Sequence, residues 1–262
     1  MNKIKTTIEQ RKGPLLNIYF TAGYPNLEST TEILSGLDRH GVDFIEIGMP
    51  YSDPMADGPV IQKSSAQAIK NGLTLDILFE QIHSVAQDIS APMIMMGYLN
   101  QMMQFGEKRF LETAVSAGIE GLIIPDLPPE LYEKQYRDVF RDHGMEIIFL
   151  VTPQTSEKRI RYIDDLSDSF LYAVSDSSIT GGTSAISDAQ VAYFERLQNL
   201  NLKNPFMVGF GISDHESFSR VTEEAPGAIV GSAFINHISQ DQVGENLDSL
   251  IKAFVQKIKY GR

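Results

Sequence analysis

The chain has 262 residues, 42% hydrophobic and 21% charged, the balance of one soluble globular unit with a sizeable core, and we expect a single domain over residues 1–262. Its 22 Lys and Arg against 34 Asp and Glu leave a net charge of -12, which repels phosphate backbones and anionic membranes and argues against nucleic acid as a partner. The absence of cysteine excludes disulfides, thiolate metal sites and a cysteine nucleophile, while the start "MNKIKTTIEQRKGP" lacks a signal-type apolar stretch and no segment approaches the roughly 20 apolar residues of a membrane span, so a cytoplasmic location is expected.

In chain order, Ile4 and Ile8 come first, one helical turn apart, and predict an extra N-terminal helix able to plug a barrel floor. Eight short β-rich apolar runs follow: "LLNIYFTA" (15–22), "DFIEIGM" (43–49), "PMIMMGY" (92–98), "GLIIPD" (121–126), "EIIFLV" (146–151), "SFLYAVS" (169–175), "PFMVGFG" (205–211) and "GAIVGS" (227–232). Amphipathic segments of helical length separate them, several ending in glycine before the next run, as in "DRHGVDF" and "FRDHGMEI". The longer interval from 50 to 91 holds an acidic loop and two helices, about Pro59 to Asn71 and Leu75 to Ile89. Strict strand–helix alternation implies a parallel sheet, and eight units match an α/β fold of the (β/α)8 TIM barrel type. An open doubly wound sheet is the competing architecture, but "FTAGYPN" stands where its G-x-G-x-x-G fingerprint belongs.

Barrel active sites lie where strands end. In "DFIEIGM" the alternation puts Ile45 and Ile47 on the helix-covered face and aims Phe44, Glu46 and Gly48 into the barrel. A carboxylate facing a closed core is costly unless paired or protonated, and no run contains a lysine or arginine to pair with Glu46, so it is a candidate proton donor and acceptor. Asp53 and Asp57 lie in the loop "YSDPMADGP", where each is as compatible with a turn former as with a functional acid; Asp126 before "LPPE" is equally compatible with helix capping. Gly181, Gly182, Gly211, Gly231 and Ser232 fall on the last three βα loops, where backbone N–H groups can converge on a phosphate without a basic patch. Tyr19, Tyr98 and Tyr172 near strand ends, with Ile61, can shape a flat aromatic pocket; the run "MIMMGYLNQMM" reads mainly as core. With no strand lysine for a Schiff base and no clustered histidines for zinc, carboxylate acid–base chemistry on a phosphorylated substrate that holds its own electrons is the class that remains.

The element "IEIGMPYSDPMADGPVIQ", supported by "YFTAGYP", "MGYLN", "PDLPPE", "SITG", "GFGIS" and "AIVGSA", resembles the tryptophan synthase alpha chains along nearly the whole chain. The resemblance implies a lyase that cleaves indole-3-glycerol phosphate to indole and glyceraldehyde 3-phosphate. It implies no cofactor in this chain, and a partner beta chain carrying pyridoxal phosphate in an alpha2-beta2 complex. It makes Glu46 the general acid–base residue and Asp57 the stabiliser of the indole N–H. Tyr19, Ile61, Tyr98, Tyr172 and Thr180 become substrate contacts, Gly181, Gly211, Gly231 and Ser232 the phosphate cradle, and Pro50, Tyr51 and Asp53 the partner-facing loop. The chain departs from the family's pattern at "SDSSI" before "TGG", where many members carry an arginine and a glycine, and at Gln101, where proline is common. A phosphate-binding regulatory subunit without catalysis, and another phosphosugar lyase or isomerase on the same barrel, are the alternative functions.

Overall fold

The strands of the computed structural model are β1 (Leu15–Thr21), β2 (Phe44–Gly48), β3 (Met93–Met96), β4 (Ile119–Ile123), β5 (Glu146–Ile147), β6 (Leu150–Val151), β7 (Leu171–Val174), β8 (Phe206–Gly209) and β9 (Gly227–Val230). The structure describes residues 3–54, 57–174, 187–209, 211–239 and 246–262. Every expected run supplies a strand, and the ninth arises because the fifth run is broken in two. All pairings are parallel, in the order β5-β4-β3-β2-β1-β9-β8-β7-β6. The two ends of that order are the two halves of one run: β5 pairs with β4 and β6 with β7. Between them the Ile148 N–H donates to the Leu122 carbonyl and the Tyr172 N–H to the Phe149 carbonyl, both at 2.9 Å. The barrel therefore closes through residues 146–151.

Two expected boundaries move. β4 begins at Ile119 instead of Gly121, because Gly118, with φ +85°, already turns the chain out of the helix Glu107–Ser116 and pairing starts at once. It stops at Ile123, since Pro125 has no N–H to give a ladder. The helix expected to run from Leu75 to Ile89 is Leu75–Val85, capped by the Thr74 hydroxyl, followed by one 3-10 turn at Ala86–Asp88.

Strand alternation sorts the core into two layers. Leu16, Ile18, Phe20, Ile45 and Ile47 face outward into the shell of helices. Leu15, Phe44, Ile94, Ile123, Phe170, Met207 and Ile229 fill the barrel interior. The N-terminal helix Lys3–Glu9 delivers Ile4 and Ile8 to that interior cluster, as expected of a floor plug. Burying Ile4 completely contributes about 1.5–3 kcal/mol, and the approach depends on Gly121, where a Cβ would stand 2.8 Å from the Ile4 Cδ1. A sealed floor leaves the opposite end, where the strands terminate, as the open mouth. No helix among the described residues is long and apolar enough to cross a membrane.

Candidate active site

At the C-terminal ends of the strands lies a cavity of about 380 Å³. It gathers Tyr19 from β1, Glu46 from β2, Asp57 and Ile61 from the loop and helix after β2, Tyr172 from β7, and Gly211, Gly231 and Ser232 from the loops after β8 and β9. Eight of the substrate and catalytic positions expected from the sequence thus line one space. Thr180 and Gly181, with Gly182, lie outside the described residues.

Glu46 is fully buried on β2 and faces inward beside Phe44, as its parity requires. Its Oε2 accepts a 2.7 Å hydrogen bond from Asn17 Nδ2, while its Oε1 meets no hydrogen-bonding partner among the described residues. Among the described residues no lysine or arginine lines the cavity. Burial therefore dominates and pushes the carboxyl up to about 8; the Asn17 amide opposes the rise and the nearby Asp57 charge adds to it. A group with that affinity holds a proton at neutral pH and still releases it readily.

Asp57 is also pushed up by burial, against the Tyr98 hydroxyl, which donates to its Oδ2 at 3.1 Å. Its place is set by the turn before the helix Pro59–Lys70: Asp57 N–H donates to the Pro54 carbonyl at 3.1 Å, and Gln62 Nε2 donates back to the Asp57 carbonyl at 2.9 Å. Pro59 at the first helical position fixes where the turn ends. Tyr98 does not line the cavity itself; it reaches the site through Asp57.

The tyrosine walls depend on glycine. A Cβ at Gly48 would come within 2.1 Å of the Tyr19 hydroxyl oxygen, and one at Gly209 within 2.4 Å of Tyr172, so each ring leans into room left by a glycine on a neighbouring strand. Burial pushes both phenols well above their ordinary value, which keeps them neutral beside the carboxylates. On the far wall, Gly211 adopts φ +77°, a left-handed turn that presents backbone beside Gly231 and Ser232.

Pro50, Tyr51 and Asp53 form the rim. Tyr51 stacks on Tyr98 with ring centroids 5.0 Å apart, and Asn100 Nδ2 donates to its hydroxyl at 3.2 Å. Gln101, the residue that departs from the family pattern, is buried and binds both loops: its Nε2 donates to the Pro50 carbonyl at 2.9 Å and its Oε1 accepts from the Tyr98 N–H at 3.0 Å. Asp53 is exposed and accepts from the Ser52 hydroxyl at 2.7 Å. Asp126 resolves to capping, but of a neighbour: its Oδ1 accepts from the Leu99 N–H at 2.8 Å, at the start of the helix Leu99–Phe105.

Sequence reading did not single out Asn17, Met96, Leu150 or Asn236, of which the last three line the cavity. Asn17 carried a usable signal, being a polar residue at the inward parity of β1, two positions before Tyr19. Among the described residues no group of three or more His, Cys, Asp or Glu is arranged to hold a metal ion.

The family model for the tryptophan synthase alpha chain matches residues 5–260. The alpha chain of Christiangramia forsetii is 50% identical over 259 residues, which cover 99% of this chain and 99% of that one. Among solved structures, the alpha chain of Legionella pneumophila superposes with a TM-score of 0.89 at 33% identity, covering 99% of this chain and 96% of that one. The tryptophan synthase complex of Pyrococcus furiosus contains a chain that superposes with a TM-score of 0.83 at 32% identity, over 93% of this chain and 97% of that one. A carboxylate pair in a TIM-barrel mouth and a match along nearly the full length lead to one conclusion: the chain belongs to the tryptophan synthase alpha chain family.

Proposed function

We propose that Glu46 and Asp57 carry the family's alpha reaction in this chain, the retro-aldol cleavage of indole-3-glycerol phosphate to indole and glyceraldehyde 3-phosphate. Protonated Glu46 gives its proton to C3 of the indole ring, producing an indolenine whose iminium-like nitrogen draws electrons. The carboxylate left on Glu46 then takes the proton of the hydroxyl on the adjacent side-chain carbon. That carbon becomes the aldehyde carbon, the C–C bond breaks toward the ring, and indole leaves with Glu46 protonated again. Asp57 stabilises the positive charge that develops at the ring nitrogen, aligned by the Tyr98 hydroxyl. Tyr19, Ile61 and Tyr172 hold the ring. Backbone N–H groups at Gly181, Gly211, Gly231 and Ser232 hold the phosphate, and Thr180 helps close the site over the acidic pair.

The observation that carries this reading is a fully buried glutamate at the wall of the mouth cavity, with one oxygen free of partners and no cation beside it among the described residues, and a carboxyl pushed up to about 8. The rim of Pro50, Tyr51 and Asp53 faces a tryptophan synthase beta chain that receives the indole, in an alpha2-beta2 complex whose beta chains hold pyridoxal phosphate. The acidic, cysteine-free composition and a small phosphorylated substrate fit a cytoplasmic assembly. The test is indole release from indole-3-glycerol phosphate by the purified chain with and without a beta chain. We expect turnover that the beta chain accelerates; no indole in either arm, with the substrate demonstrably bound, would overturn the reading.

A further inference from the structure

We propose that Asn17 is a positioning residue for this reaction: its amide fixes the Glu46 carboxyl from below and confines the transferable proton to Oε1, the oxygen left for the substrate. The inference rests on the assignment of Glu46 as the acid–base group.

Asn17 is fully buried on β1, in the same inward file as Leu15 and Tyr19, and pairs in register with Phe44 on β2 and Ile229 on β9. It therefore stands one layer deeper in the barrel than Tyr19, which pairs with Glu46. Asn17 does not line the cavity, so it reaches the reaction only through its neighbour. An amide nitrogen has hydrogens to give and no lone pair to accept, so the oxygen it contacts must act as acceptor. With Oε2 held in that role at 2.7 Å, a proton on Glu46 resides on Oε1, which has no hydrogen-bonding partner among the described residues.

The choice of an amide also fits the electrostatics. Burial and the nearby Asp57 charge both disfavour the ionised form of Glu46, and the Tyr19 and Tyr172 phenols, themselves kept neutral by burial, bring no compensating charge. A lysine or arginine in place of Asn17 would pair with the carboxylate and strip the acid of its proton at neutral pH. An aspartate would add a second buried negative charge and hold the proton too tightly. A neutral donor stabilises the carboxylate modestly, enough to keep the proton exchangeable. The arrangement has a cost: among the described residues the Asn17 Oδ1 is buried without a hydrogen-bonding partner while Nδ2 is aimed at Glu46.

The experiment is a titration of Glu46 in the full-length chain labelled with carboxyl-13C glutamate, the resonance being assigned by its loss in Glu46→Gln. Asn17→Leu, close to the same volume without a donor, is expected to move the Glu46 midpoint upward by roughly one pH unit. In the complex with the beta chain it should lower kcat by roughly 10- to 100-fold with KM nearly unchanged, and move the alkaline limb of the pH profile in the same direction. Because Asn17→Leu places hydrocarbon in a polar niche and can fail to fold, Asn17→Ser is measured beside it; the shorter hydroxyl loses the direct bond and should give a shift of the same sign. An unmoved midpoint in whichever variant folds overturns the inference. The titration needs no turnover, so failure here shows as an unshifted resonance, whereas failure of the lyase reading shows as absence of indole from the unaltered chain.

Discussion

The two ends of the barrel each hold a glutamate that burial makes a weak acid, and only one of them fits catalysis. At the mouth is Glu46, raised to about 8; at the floor, on β5, is Glu146, raised to about 7. Both have an oxygen that is buried and unbonded among the described residues. The floor even offers the larger cavity, about 740 Å³ against about 380 Å³. What differs is the company. The floor cavity is lined by Lys3, Arg137 and Arg141 as well as Glu120, Glu146 and Asp168, and Lys3 already neutralises Glu120 at 3.0 Å. Among the described residues the mouth has no cation, two neutral tyrosines, and one amide aimed at one carboxyl oxygen. Neither a raised proton affinity nor a large hollow marks an active site by itself; the separation of a proton-holding carboxyl from every compensating charge does.

Breaking the mouth should have the largest effect. Glu46→Gln fills the same space and can still accept from Asn17 through its amide oxygen, so substrate affinity should persist while kcat falls by about 10³-fold or more. The same variant should gain stability, with a definite pH dependence. The folded-state value of about 8 lies above the ordinary 4.5, so between those values the unfolded chain binds fewer protons and stability falls as pH rises. Removing the carboxyl therefore stabilises the fold by on the order of 3 kcal/mol at pH 7, and by little below pH ~4.5. Thermal melts across that window check it; equal melts of both proteins at pH 8 would mean that Glu46 is compensated in a way the geometry does not show.

Asp57→Asn should cost less. The amide oxygen can still accept from Tyr98, so the loop keeps its shape, and only the charge that steadies the indolenine is lost. We expect kcat to fall by roughly 10²-fold with KM little changed. Unchanged kcat would confine Asp57 to shaping the turn.

These residues were legible to different degrees because different forces place them. Glu46 was legible because strand parity is a local rule: two isoleucines one residue either side force it inward. Ile4 and Ile8 were legible for the same reason at helical spacing. Asn17 follows the same parity rule, but its meaning comes from a partner 29 residues away on the next strand, and nothing local announces it. Asp126 was ambiguous for a related reason, since the N–H it caps lies 27 residues back on a neighbouring unit. The break in "EIIFLV" was hidden altogether: six residues of uniform strand character carry no mark of the curvature by which a closing barrel makes one half pair with β4 and the other with β7. The raised Glu146 was hidden with it, being the first residue of that broken run.

The smallest effect, and the sharpest control, belongs to Glu146→Gln. Its carboxyl is raised chiefly by burial, with Asp168 and Glu120 adding and Lys5 opposing, so the thermodynamic sign matches that of Glu46: the folded form holds its proton through about pH 7, the unfolded form releases it near 4.5, and stability declines over that interval. Yet the side chain is only partly buried and surrounded by charges of both signs, so solvent and neighbours screen most of the penalty. The gain on replacing it should stay below about 1 kcal/mol at pH 7. Because Glu146 pairs with Gly121, the residue that makes room for Ile4 of the floor plug, it lies at the sealed end, and kcat should stay within roughly twofold of the unaltered chain. A loss of turnover approaching that of Glu46→Gln, in a protein melting normally, would dissolve the distinction between the two ends and require the floor to communicate with the mouth through the β5–β6 break.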